Sequence, residues 1–368
     1  VSGFEMMKDD ALTPITFNWT AWSSSLVNST NSVYTAGDSG DYNSIVTDSN
    51  GKVHIVTYRG DSKKDLMYIT NQTGSWASSK LDHNDNVGQY CSIAIDSADG
   101  LHVSYRHDGG NKLKYAYKAS GSSSWAKTEV DQTGGKYTSI AVDSNDIPHI
   151  AYRDGSSGEL GYAKKTGGSW TWNNIATGID VGWTSIAIDS NDHIHIAFYD
   201  TTGGDLYYVV SNTSGSWVSS NLESIGSTTG GMAVDIAIDP TTDEPGISYF
   251  DKVNTALKYT YYAGSSWSPM TIENSADYGR FNSIAYDSLG NVHISHERNG
   301  ADDLYYTSDK TGSWVSTPID TTNSAGLYTA ITVDSNDDVH IAYRYNSAYD
   351  LYVATVQGYN TGSSARSA

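Results

Sequence analysis

The stretch SIAIDSNDHIHIAFYD, residues 185–200, gathers Asp189, Asp192, His193 and His195 within seven positions. A carboxylate six residues from an imidazole could orient that ring as a general base, the core of a catalytic dyad. A catalytic dyad is a single constellation, and this stretch is not single. It returns as SIVTDSNGKVHIVTY from Ser44, SIAIDSADGLHVSY from Ser92, SIAVDSNDIPHIAY from Ser139, DIAIDPTTDEPGISY from Asp235, SIAYDSLGNVHISH from Ser283 and AITVDSNDDVHIAY from Ala330. Asp48, Asp96, Asp143, Asp189, Asp239, Asp287 and Asp334 stand in every copy, and His54, His102, His149, His195, His293 and His340 follow six residues later in six of them. Such repetition reads as a hairpin clasp, with the aspartate accepting from imidazole or backbone across the turn.

The copies dictate the elements. Their lead isoleucines, Ile45, Ile93, Ile140, Ile186, Ile236, Ile284 and Ile331, are 46 to 50 residues apart, the length of one four-stranded propeller blade. The S-I-A-x-D run predicts a first strand, D-S-N-[DG] a tight turn, and H-I-A-Y a second strand. A third strand begins at Leu66, Leu113, Leu160, Leu206, Leu257, Leu304 and Leu351, usually with tyrosine two residues on and therefore on the same face. A fourth follows a Gly/Ser-rich turn and Trp76, Trp125, Trp170, Trp217, Trp267 or Trp314. The seventh copy lacks that strand, and FNWTAWSSSLV, residues 17–27, supplies it from the other end of the chain. The expectation is all-β: one seven-bladed propeller over 17–356, closed by its N-terminal strand, with extensions 1–16 and 357–368. Closure would remove the open sheet edges.

The Asp-Ser-Asn-Gly-x-x-His-Ile motif resembles the NHL-type and related bacterial and archaeal β-propeller repeats over residues 17–356. The resemblance implies a fold and no activity. A Trp-Asp dipeptide, a kelch double glycine and an S-x-D-x-G-x-x-W box are all absent.

Twenty-two basic against 42 acidic side chains give a net charge of -20, which disfavours nucleic acid and anionic lipid as partners. Apolar runs are too short for membrane insertion as a helix. The chain opens on Val1, and its composition and sequons at Asn18, Asn28, Asn71 and Asn212 suit a secreted protein, extracellular or at the cell surface. The lone Cys91 reads as a small buried hydrophobe. No cofactor is expected; the oxygens of DSNDD, 334–338, are of the kind calcium takes, without the glycine and distal glutamate of an EF-hand.

Function is sought where the copies present polar or aromatic groups on the face usual for propeller ligands. Three residues before each lead isoleucine stand Tyr42, Tyr90, Tyr137, Trp183, Phe281 and Tyr328, with Ala233 the exception: a ring that could stack sugars. Arg59, Arg106, Arg153, Arg298 and Arg344 end second strands and Arg280 adjoins Phe281. They suit carboxylate or sulfate, or equally nearby aspartates in ion pairs. His296 and Arg298, with His107 and Arg106, break the repeat most, and are the candidate catalytic residues should the chain be a polysaccharide lyase acting on acidic glycans. Three readings follow: a non-enzymatic, self-associating structural subunit, docking into a homo-oligomer or filament through Phe4, Met6 and Met7; a multivalent carbohydrate-binding propeller; and the lyase. The first is the leading expectation.

Overall fold

The structure, a computed structural model, describes residues 23–26 and 38–356 except 213–214, 227–232, 275–277, 301, 322–323 and 346–348. These residues form seven sheets of four antiparallel strands and no helix, as the period predicts. Blade four shows the plan: Val181–Ile188, Ile194–Asp200, Asp205–Ser211 and Trp217–Ser224 pair in that order. Second strands are buried on both sides between neighbouring blades, which is why they read as near-continuous apolar runs. Fourth strands keep an exposed side at the rim. The strand Ser23–Leu26 pairs with Asp350–Val356, Ser23 opposite Thr355 and Leu26 opposite Tyr352, so the N-terminal strand completes blade seven as expected. Trp22, Phe4, Met6 and Met7, and residues 357–368, lie outside the described residues.

The repeated aspartate holds each first hairpin. One oxygen of Asp189 accepts from the amides of Asn191 and His193 at 2.9 and 2.8 Å, and Asp48, Asp143, Asp287 and Asp334 do the same in their turns. The other oxygen lies 3.0–3.4 Å from the histidine Nε2 in all six blades that have one. A carboxylate only accepts, so Nε2 carries the proton and Nδ1 is left to accept. It accepts from Tyr68, Tyr115, Tyr162, Tyr208 or Tyr306, the tyrosine two residues after the leucine, at 2.5–2.8 Å. Turn, second strand and third strand are thereby locked together: the apparent dyad is scaffold. Blade seven has Val353 in place of that tyrosine, and His340 turns to Thr355 at 3.1 Å. Blade five has Gly246 in place of histidine, and Tyr286 from blade six fills the space; its hydroxyl meets that of Tyr259 at 2.7 Å and would lie 1.9 Å from any Cβ at position 246.

Blades are laced to each other at both ends of the bore. At one end the serine before each lead isoleucine accepts from the lead-isoleucine amide of the next blade: Ser44 from Ile93, Ser92 from Ile140, Ser139 from Ile186, Ser185 from Ile236 and Ser283 from Ile331, at 3.1–3.3 Å. At the other, the serine of D-S-N-[DG] donates its amide and hydroxyl to both oxygens of an aspartate in the next turn. The pairs are Ser49 to Asp99, Ser97 to Asp146, Ser144 to Asp192, Ser190 to Asp243 and Ser288 to Asp337, at 2.6–2.9 Å. Those aspartates all adopt φ near +60°, which Asp tolerates better than bulkier residues. Further out, each third-strand tyrosine packs on the fourth-strand tryptophan of the following blade, Tyr68 on Trp125 through Tyr259 on Trp314, with ring centroids 4.7–5.5 Å apart. The junction from blade seven to blade one lacks both laces, because Ala330 replaces the serine and Gly51 the aspartate. Arg344 spans it instead, bound to Asp38 at 2.7 Å and to Asp41.

Burial holds His54, His102, His149 and His195 below the ordinary histidine value, against the pull of their aspartates. The unfolded chain therefore takes up protons that the folded chain refuses as pH falls below about 6.5, and stability falls with it. A second loss follows below the usual aspartate value of 3.8: burial of Asp96, Asp143 and Asp189 is outweighed by imidazole and amide hydrogen bonds, which lower their pKa. Thermal unfolding should show a lower Tm at pH 5 than at pH 7, and the drop should shrink in a His149→Gln chain.

Candidate functional site

The expected aromatic ring exists, and its geometry comes from strain. Six of the seven first strands carry a bulge where their pairing with the second strand skips, between Asp41 and Ser44, Gln89 and Ser92, Lys136 and Ser139, Val181 and Thr184, Arg280 and Ser283, and Leu327 and Ala330, whereas Val234–Ile238 of blade five pairs without a skip. Within the bulges Tyr42, Tyr90, Tyr137, Phe281 and Tyr328 adopt φ of 47–54°, a conformation that costs an aromatic residue on the order of 1–3 kcal/mol. The bulge aims the rings into the bore, where they meet one another. Phe281, Tyr328, Tyr42, Tyr90, Tyr137 and Trp183 run in sequence with centroids 4.4–5.1 Å apart, and Tyr42 and Trp183 also touch at 6.3 Å. The rings are half-buried, and burial pushes the Tyr137 and Tyr328 hydroxyls up to about 12.

The carbonyls freed by the bulges find partners in the next blade. Asn43 donates to Tyr328 at 2.9 Å, Cys91 to Tyr42 at 3.0 Å, Asn282 to Ala233 at 2.9 Å, Thr329 to Phe281 at 2.7 Å, and Thr184 to Tyr137. The ring is thus a braced lid over a cavity of about 160 Å³ lined by residues of all seven first strands.

The arginines separate by partner. Arg59 pairs with Asp61 at 2.5 Å, Arg106 with Asp108 at 3.0 Å, Arg153 with Asp180, and Arg344 with Asp38 and Asp41. Arg59, Arg106 and Arg344 are buried. His107 stands 3.4 Å from Asp85 at the surface. Arg280 lies over the Phe250 ring at 5.7 Å. Arg298 differs: its guanidinium lies 5.3 Å over Tyr278 and 6.0 Å over Tyr305, and it donates to the Tyr305 hydroxyl at 3.3 Å. Among the described residues no carboxylate lies within ion-pair distance of it.

Arg298 and His296 alternate along one strand, on the same face, so blade six brings the two together with Tyr278 and Tyr305. His296 itself is fully buried. Its Nε2 lies 2.8 Å from the Thr307 hydroxyl and its Nδ1 has no partner. Burial pushes its pKa down to about 3, so the ring is neutral and inaccessible. Tyr278 is pushed up to about 12, first by burial and then by the Tyr305 hydroxyl. Arg106 and His107, in blade two, are not brought to this cluster.

The sequence shows Tyr278 and Tyr305 only as two more tyrosines; the register places Tyr278 opposite Arg298 on one neighbouring strand and Tyr305 opposite His296 on the other. The sequence reading also passed over Asp235, visible as the one acidic residue where other copies carry serine or alanine. In 334–338, Asp334 is used by the Asn336 and Asp338 amides and Asp337 by Ser288; among the described residues no three His, Cys, Asp or Glu side chains converge to hold a metal. No helix among them is long and apolar enough to cross a membrane.

No family model matches the sequence, and no curated protein matches it, so the likeness to NHL-type repeats stays one of motif. Solved structures share the architecture. A polysaccharide lyase of a family described as PL25, an ulvan lyase bound to -[GlcA(1-4)Rha3S]-, has TM-score 0.59 and 15% identity over 88% of this chain and 94% of its own. A mutant of AofleA from Arthrobotrys oligospora has TM-score 0.57 and 14% identity over 82% and 91%. Aleuria aurantia lectin in complex with Fucalpha1-6GlcNAc has 0.51 and 17% over 70% and 89%. At these identities the likeness is one of fold.

Burial of Cys91 raises its thiol pKa far above the ordinary value, with the Tyr42 carbonyl as its hydrogen-bond acceptor. A thiolate-directed reagent at pH 8 should leave the native chain unmodified and label one thiol per chain in denaturant; rapid native labelling would show that the lid opens.

Proposed function

We propose that the chain is a carbohydrate-binding propeller that takes an acidic saccharide at blade six. The observation that carries the reading is Arg298. Four of its counterparts are neutralised by aspartates within the fold, whereas this guanidinium lies over two tyrosine rings and donates, among the described residues, to the Tyr305 hydroxyl. A planar fork fixed in place binds carboxylate or sulfate bidentately at a lower entropic cost than a free side chain does. The half-buried Tyr305 adds an amphipathic surface for a sugar ring. The fold is shared with lectins and with a lyase bound to a glucuronate-containing, sulfated oligosaccharide, which supports carbohydrate over the other ligand classes.

Binding is favoured over elimination because a lyase needs a base beside the substrate proton. His296 is sealed away and only weakly basic, and Tyr278 is held neutral at ordinary pH. Titration calorimetry against uronate-bearing and sulfated oligosaccharides, with neutral ones as controls, should show binding that weakens with salt. Arg298→Ala should weaken it about tenfold or more, and no unsaturated uronate should accumulate. Equal binding by Arg298→Ala, or binding of neutral sugars alone, would sink the reading.

Self-association through residues 1–16 is a separate proposal that rests on Phe4, Met6 and Met7 in the sequence. Light scattering of the full chain should show assemblies that vanish when residues 1–16 are deleted; a monomeric full chain removes it.

A further inference from the structure

Asp235 occupies the position held by Ser44, Ser92, Ser139, Ser185 and Ser283 in other blades, and lines the central cavity, half-buried there. Four donors converge on it. The Ser185 hydroxyl and the Ile236 amide reach one oxygen at 2.6 and 3.1 Å, and the Ser283 hydroxyl and the Ile284 amide reach the other at 2.7 and 2.9 Å. Amides can only donate, and both serine oxygens already accept from the Ile236 and Ile331 amides. Four donors converging on one carboxyl group favour its anion. Yet the donors are all neutral. None of the residues lining the cavity carries a positive charge; they are aromatic, hydroxyl-bearing, amide-bearing or small. Burial accordingly pushes the Asp235 pKa up, against its hydrogen bonds.

A charge taken out of water is paired or meets a metal ion. Here the missing partner has room: about 160 Å³ admits an ion with several waters. The surroundings are oxygen donors, and Ser44, Ser92 and Ser139 each use their oxygen for a single amide. Hydroxyl, amide and carboxylate oxygens are the ligands that hard cations take. Access coincides with the charge, because Ala233, two residues before Asp235, is the lid position without a ring. The remaining rings attract cations across their faces, and a net charge of -20 concentrates them around the protein.

We propose that the central cavity holds one small hard cation, an alkali or alkaline-earth ion with its water, opposite the Asp235 carboxylate. The site is a single carboxylate with hydroxyl and water oxygens, and it is independent of the Arg298 cluster in blade six. The full chain, stripped by chelation and dialysis, is titrated separately with CaCl2, MgCl2, KCl and NaCl at constant ionic strength, reading Tm and calorimetric stoichiometry. One of the four should bind once per chain and raise Tm by roughly 3–5 °C at saturation. Asp235→Ser, which restores the residue of five other blades, should fold and lose that response, as should the isosteric Asp235→Asn. If no cation raises Tm, or if both variants respond like the parent chain, the carboxylate is only a stitch between blades and the proposal fails.

Discussion

Everything in this molecule is hung from a carboxylate that cannot find water. In six of the seven blades the aspartate of the first hairpin meets the amides of its own turn with one oxygen and an imidazole from the second strand with the other. That imidazole is in turn satisfied from the third strand. An unpaired polar group in such a setting would cost several kcal/mol, so the three inner strands have one mutual register in which all partners meet. Once the blades are fixed this way, the serine and aspartate laces and the Tyr–Trp contacts fix their spacing, and the bore closes on itself. The chemistry that looks catalytic in isolation is consumed by holding the sheet together.

Because the repeated positions are spent on architecture, individuality lies in the departures. Some departures are repaired locally: Gly246 lacks an imidazole and Tyr286 reaches across from the next blade to fill its place. Others are left open. Ala233 omits a ring from the lid, Asp235 puts a charge where serine is usual, and His296 puts a neutral imidazole where Tyr105, Tyr152 and Tyr343 bind aspartates of the preceding blade. Two of these lie in blade five and the third in blade six. The asymmetry of the ring is concentrated in one sector, and both candidate ligand positions fall there.

The ring, its seven-fold count and its closure were legible in the sequence, because blade period, strand alternation and the stray N-terminal segment are properties of the chain alone. So was the role of Asp189 and His195, since repetition separates scaffold from site. What could not be read was which arginine is free. Arg153 and Arg298 both end second strands, and it is the placement of Asp180 beside one and of two tyrosine rings beside the other that divides them by partner. The aromatic ring was found by position, but its meaning changed with geometry. Strained bulges turn the rings toward each other, so they form one continuous aromatic surface in the bore. Cys91 likewise proved to be a donor to a bulge carbonyl, a role with no signature in a lone cysteine.

The joint between blades seven and one carries a further implication. Ala330 and Gly51 remove both inner laces between these blades, and an apolar cluster shared by the two, the Ser39 bonds to the Tyr349 carbonyl, Asn43 and the Arg344 ion pairs hold the joint instead. Closure of the disc thus leans on ion pairs, which salt screens, where the serine-laced seams lean on neutral hydroxyls.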